Sequence, residues 1–206
     1  MEPKNIIITV GRQLGSGGHD IARMLALDFN AQYYDREILN LAARESGFSP
    51  KIFEQNDEKK GFVRSLFSVQ IPFVDNGMYK PGFSQDSLFK FQSDAIRKEA
   101  QKGSCVFVGR CADYVLRDFQ NTVSVFITAP MDFRIQSVAS KQGVQPDEAR
   151  KLIEHGERRR AEYYNYYTGK KWGHASGYDL CIDSSILGLQ QTEQFIASFV
   201  RSKLKI

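Results

Sequence analysis

The residues best suited to chemistry lie near the start of the chain, in Gly11-Arg12-Gln13-Leu14-Gly15-Ser16-Gly17-Gly18-His19, where residues 11–18 include four glycines. The run follows a β-branched stretch, Ile6–Val10, and precedes an amphipathic stretch from near Asp20 with Ile21, Leu25 and Phe29 at steps of four. A strand, a glycine turn and a helix N-terminus together hold phosphate: backbone N–H groups approach the anion and the helix dipole adds partial positive charge. The usual spelling of such a loop ends in Gly-Lys-Ser/Thr. Here Gly18 stands at the lysine place and His19 at the hydroxyl place. The interval from Gly11 to Gly15 also departs from the standard length, and there is no GxGxxG. Arg12 can supply the missing charge from within the loop. The plain alternative is a tight strand-to-helix turn with no ligand.

Other cations fit the same chemistry. Arg110 follows the apolar stretch Ser104–Val108 and Gly109. It would therefore leave the carboxyl edge of a sheet, where α/β folds place ligands. Its planar fork suits bidentate phosphate contacts, although an ion pair with a nearby carboxylate is the other option. Arg158-Arg159-Arg160 lie on a helical stretch and span about 200°, so they cannot all face one ligand. Arg134 comes from the preceding helix. Tyr163, Tyr164, Tyr166 and Tyr167 could stack a base or pack between helices.

These residues need a scaffold. Strands are expected at Ile6–Val10, Tyr33-Tyr34, Ser104–Val108, Val123–Thr128 and Tyr178–Asp183, alternating with helical stretches that include Ala112–Arg117 and Leu189–Leu204. That alternation predicts an α/β fold with a mainly parallel five-stranded sheet. Two stretches interrupt it. Residues 49–82 are irregular, glycine- and proline-bearing, with scattered aromatics. They read as an insertion: a packed loop, a mobile ligand cover or a contact surface. Residues 131–172 read as two helices joined near Gly143, with Pro146 in the first turn of the second.

Composition limits the functions open to the chain. It has 206 residues, 42% hydrophobic and 25% charged, an ordinary globular balance. No apolar run approaches the roughly 20 residues of a membrane span. Three cysteines cannot all pair and none forms a CxxC, and His155 and His174 lack metal-ligand spacing. A formal net charge of +4 is too small to argue for nucleic acid. The expectation is a cytoplasmic protein with a small-molecule nucleotide partner, no membrane or nucleic-acid partner and no metal held by its own side chains; the sequence does not set its oligomeric state.

Four stretches taken in order carry a family resemblance: Gly11–Gly18, Tyr34-Asp35-Arg36-Glu37-Ile38, Val108-Gly109-Arg110-Cys111-Ala112-Asp113, and Tyr163-Tyr164-Asn165-Tyr166-Tyr167-Thr168-Gly169-Lys170-Lys171-Trp172. With them the chain resembles the cytidylate kinase-like family, a branch of the P-loop nucleoside monophosphate kinases. The resemblance implies a single P-loop NTPase-like, three-layer domain over residues 1–206. It implies a nucleotide-binding insertion at about 49–85 and a helical LID at about 131–172. It further implies ATP as donor, Mg2+, and CMP or dCMP as acceptor. Carried onto this sequence, the donor side is Arg12, Gly15, Ser16, Gly17, Gly18 and His19. The acceptor side is Asp35, Arg36, Arg110 and Arg134, and the transfer is assisted by Arg110, Arg158 and Asp113. Asp183-Ser184-Ser185 falls where this fold tends to hold the donor base, or else caps a helix. The departures are Gly18 for lysine, Val108 for an acid that Asp113 could replace, and Arg36-Glu37 for small residues. They leave two rivals: a nucleotide-binding module without catalysis, and a kinase for a non-nucleotide acceptor.

Overall fold

The computed structural model describes residues 5–35, 38, 41 and 85–206. The expected insertion, apart from its last residue, and Arg36 lie outside the described residues. The chain divides into two units, residues 1–35 with 99–206, and residues 36–98.

Five runs of β-branched and aromatic residues form the sheet: β1 (Ile7–Arg12), β2 (Gln32–Tyr34), β3 (Cys105–Val108), β4 (Thr122–Thr128) and β5 (Leu180–Asp183). Their order is β2-β3-β1-β4-β5 and every pairing is parallel. Parallel strands need covered faces. The described helices are α1 (Gly18–Asp28), α2 (Gln85–Lys102), α3 (Ala112–Val115), α4 (Met131–Gln142), α5 (Pro146–Thr168) and α6 (Ser184–Leu204). The result is the expected three-layer α/β architecture with an all-parallel sheet.

Alternation along the strands decides which residue meets which layer. Ile8, Val10, Val106, Val108, Val123, Val125 and Ile127 pack against Ile21, Leu25 and Ala26 of α1 and Ile196, Ala197 and Val200 of α6. Each fully buried aliphatic side chain here contributes about 1.5–3 kcal/mol. On the other face Tyr34 stacks on Phe107 at 5.0 Å, and Phe126 meets Trp172 edge-on at 5.3 Å. A separate cluster, Ile135, Val138, Ala149 and Ile153, joins α4 to α5, and Leu14 of the glycine loop packs on it.

The sequence-based boundaries need changes, among them β5, which begins at Leu180 rather than Tyr178, and α3, which ends at Val115 rather than Arg117. β1 does not stop at Gly11: Gly11 pairs with Phe126 and Arg12 with Ile127. A Cβ at Gly11 would lie 2.7 Å from the Phe126 ring, so the missing side chain lets the ladder continue. α1 starts at Gly18, two residues early. α2 has no counterpart in the expectation, because its apolar stripe, Leu88, Phe89, Ala95, Ile96 and Ala100, is narrow among many charged and amide residues. The join near Gly143 is found, with that glycine in the left-handed region at φ 67°. Gly188 leaves helical geometry, so the regular part of α6 begins at Leu189, as expected. No helix among the described residues is long and apolar enough to cross a membrane.

Candidate functional site

The glycine loop is fixed from three sides. The Gln13 side-chain carbonyl accepts from the Thr128 hydroxyl and from the Ala129 N–H at 3.2 Å. Ser16 is buried; its hydroxyl donates to the Gln13 carbonyl at 2.9 Å, and its own carbonyl accepts from the Ser184 hydroxyl at 2.6 Å. Asp183 accepts from the N–H and hydroxyl of Ser185 at 2.8 and 2.7 Å. Asp183-Ser184-Ser185 is thus a capping turn that also ties α6 to the loop. Gly15 is left-handed at φ +86°, and a Cβ there would lie 2.7 Å from the Arg134 carbonyl oxygen. Gly17 is the N-cap of α1 with no side-chain capping bond. The N-cap residue of this 11-residue helix thus offers no capping side chain of its own, and a helix N-terminus favours an anion. A Cβ at Gly17 would overlap Leu189 of α6, so a larger residue there disturbs packing as well as any phosphate.

The lysine place is filled from below. Strand alternation sends Arg12, like Ile8 and Val10, to the face that carries α1. A Cβ at Gly18 would sit 2.5 Å from the Arg12 Cβ, and one at Gly109 would overlap the Arg12 guanidinium. Gly18 therefore needs to be glycine so that the stem of Arg12 can pass, and Gly109, left-handed at φ +72°, leaves room for the guanidinium. Arg12 is 7% exposed, and its Nη2 lies 3.2 Å from His19 Nε2 and 4.0 Å from Asp35 Oδ1. His19 Nδ1 lies 3.3 Å from Asp35 Oδ2 and 3.4 Å from the Tyr33 hydroxyl. In the tautomer that serves both neighbours, Nε2 accepts from Arg12 and Nδ1–H points at Asp35. Arg12 and His19, expected on the donor side, and Asp35, expected on the acceptor side, come from β1, α1 and just past the end of β2, and the fold brings them into one cluster.

A second group stands at the end of β3. Gly109, Arg110 and Cys111 are all left-handed, with φ of 72°, 59° and 55°. Two non-glycine residues in that region carry backbone strain, the kind that structures hold at functional positions. Arg110 is half-buried. Asp113, in the first turn of α3, accepts a 2.6 Å hydrogen bond from the Tyr164 hydroxyl of α5, beside Tyr178. Burial raises the Asp113 carboxyl above its ordinary value, against the pull of the Tyr164 hydroxyl, backbone N–H groups and Lys170.

That shift has a stability consequence. From 3.8, its ordinary value, up to its raised folded value, the native state keeps a proton that the unfolded chain has released. Stability must therefore fall as pH rises through that window. Asp113→Asn keeps an oxygen for the Tyr164 hydroxyl and removes the titration. In urea unfolding its stability relative to the parent should climb as pH rises across the window and level off above it. A difference independent of pH would show that Asp113 does not titrate in this way.

The arginines of α5 are sorted by the helix face. Ile153, Gly156, Arg160 and Tyr164 recur at steps of three and four on the inward side. Arg160 Nη1 donates to the Arg12 carbonyl at 3.3 Å, whereas Arg158 is exposed. Of the two, Arg160 is the one that reaches the glycine loop here, as its spacing from Ile153 and Tyr164 implies. Arg134 is 4% exposed; its Nε donates to the Ala129 carbonyl at 2.8 Å and its Nη1 pairs with Glu157 Oε1 at 2.5 Å. It is held within the scaffold beneath Gly15.

The residues fit a nucleotide phosphate: a helix that starts at a glycine N-cap, glycines that a Cβ would crowd, and a buried arginine whose stem runs beneath Gly18 to a guanidinium beside Gly109, His19 and Asp35. They do not fit a magnesium ion ligated at residue 19. Magnesium prefers oxygen, and the imidazole there is engaged by Arg12 and Asp35. The ion would enter on the nucleotide's own phosphate oxygens.

Comparison with known proteins agrees with this geometry. A profile of the cytidylate kinase-like family matches residues 7–186. A cytidylate kinase from Methanopyrus kandleri is 25% identical over 193 residues, covering 88% of this chain and 86% of its own. An uncharacterized protein from Eubacterium ventriosum superposes with a TM-score of 0.73 at 28% identity, covering 96% of this chain and 99% of its own. Shikimate kinase from Bacteroides thetaiotaomicron shares the fold, with a TM-score of 0.54 at 13% identity over 98% of this chain and 100% of its own.

Proposed function

The chain belongs to the cytidylate kinase-like family, and from that premise we propose that this phosphotransferase moves the terminal phosphoryl group of ATP to a nucleoside monophosphate, CMP or dCMP first. The observation that carries the proposal is the Arg12 side chain in the space where Gly18 has none. The loop has no lysine, yet a buried arginine runs beneath it, with its guanidinium between Gly109, His19 and Asp35.

Phosphoryl transfer asks a protein for position and charge rather than covalent chemistry. The backbone of Gly15–Gly18 and the start of α1 hold the donor phosphates. Arg12 neutralises them from beneath, with its own charge balanced by Asp35. Arg160 reaches the same loop from α5 and takes the part that sequence alone gave to Arg158. Arg110 projects from the carboxyl edge of the sheet and meets the acceptor phosphate or the group in flight. Asp113 anchors the end of the arginine helix through Tyr164 rather than moving a proton. Magnesium, bound with ATP, supplies further charge neutralisation on the phosphate oxygens.

A second reading rests on Val108, 1% exposed in the core, which offers no acid where the family's kinases carry one. It makes the chain a nucleotide binder without transfer. ADP release measured with CMP, dCMP, UMP and AMP separates the two. The proposal expects release with CMP or dCMP well above the rate with AMP. ATP binding with no acceptor-dependent release would favour the passive binder.

A further inference from the structure

The contact between α5 and the glycine loop has one charged residue at its centre, and no substrate need touch it. Glu157 is half-buried. Its Oε1 lies 2.5 Å from Arg134 Nη1, and the Leu14 backbone N–H also bonds to its carboxylate. Its neighbour Gly156 is where Leu14 comes closest, since a Cβ there would lie 3.4 Å from Leu14 Cδ2. One turn further along α5, Arg160 Nη1 donates to the Arg12 carbonyl at 3.3 Å. Arg134 completes the frame: it holds the Ala129 carbonyl through Nε, and its own carbonyl faces the Cα of Gly15.

Three consecutive inward positions of α5 thus meet three parts of the loop: Gly156 against the Leu14 side chain, Glu157 on the Leu14 N–H, and Arg160 on the Arg12 carbonyl. We infer that Glu157 is a positioning residue that sets the register of α5 on the glycine loop, and so delivers Arg160 to the donor phosphates. The inference rests on the donor site proposed above. An apolar contact alone leaves a helix free to slide by a fraction of a turn. A carboxylate held by a backbone N–H on one side and a buried guanidinium on the other fixes both height and rotation.

The test is a double-mutant cycle on ATP affinity in the full chain, with Glu157→Ala, Arg160→Ala and the pair, and with folding checked by unfolding midpoint. Each single change should weaken ATP binding roughly tenfold or more, the loss expected when a charge-assisted bond is removed. In the Arg160→Ala background, Glu157→Ala should add less than about threefold, because residues acting through one another are not additive. Glu157→Gln keeps acceptors for Leu14 and Arg134 and should stay within about threefold of the parent. Equal losses from Glu157→Ala in both backgrounds, or an ATP affinity untouched by it, would overturn the inference while leaving the donor site standing. A parent that binds no ATP would overturn both.

Discussion

Replacing Arg12 with alanine is expected to lower phosphoryl transfer on the order of 10²–10³-fold, the usual loss when a preorganised donor to developing charge is removed. The effect should exceed that of an ordinary surface arginine for two reasons. Arg12 is almost fully buried, and its charge is set against Asp35 and His19 in the same cluster. Its removal leaves Asp35 without that partner, at a further cost in stability. A matched result is expected at Gly18. In most helix positions Gly→Ala stabilises by about 1 kcal/mol. Here the added methyl meets the Arg12 Cβ at 2.5 Å, so Gly18→Ala should displace the guanidinium and lose activity. Turnover of Gly18→Ala at the parental rate would mean that the position of Arg12 is not what matters.

Arg110→Ala is the second large effect. A charge-assisted contact contributes about 1.5–3 kcal/mol, which corresponds to roughly ten- to more than a hundredfold in acceptor affinity or turnover. ATP affinity should change much less, since the glycine loop and α1 supply that binding. Arg110→Lys should recover only part of the loss, because an ammonium cannot offer the planar fork. The left-handed backbone at Gly109, Arg110 and Cys111 gives the position its aim. Steady-state kinetics with varied acceptor, beside an equilibrium measurement of ATP binding, separate the two substrates. Full turnover in Arg110→Ala would reduce Arg110 to a structural ion pair.

The scaffold was legible because its signals are local. β-branched runs ended by glycine or proline mark β1, β3 and β4, short apolar and aromatic stretches mark β2 and β5 within a few residues, and Gly143 with Pro146 marks the α4–α5 join. The phosphate loop was legible from its glycines and its place between a strand and a helix. What the sequence hid is tertiary. Arg12, His19 and Asp35 lie on β1, α1 and just past β2, and only the parallel order of the sheet brings them together. The necessity of Gly18 and the room left at Gly109 are visible only once the path of the Arg12 side chain is known. Nor does its place on a helix before the arginine helix reveal that Arg134 bonds Ala129 and Glu157 from a buried position. That Arg160 faces inward and Arg158 outward is legible, because the stripe from Ile153 to Tyr164 fixes the inward face of α5.

If Arg12 does the work of the absent lysine in a chain that transfers phosphate, moving the charge back tests both parts. Arg12→Gly removes the side chain that Gly18 must avoid, and Gly18→Lys then restores the usual cation. The rate of ADP release with ATP and CMP should be measured for the parent, for Arg12→Gly and for Arg12→Gly with Gly18→Lys. The expected result is an active parent, a loss on the order of a hundredfold in Arg12→Gly, and recovery of at least about tenfold of that loss in the swap. A parent inert toward every acceptor, or an Arg12→Gly variant as fast as the parent, would contradict the account.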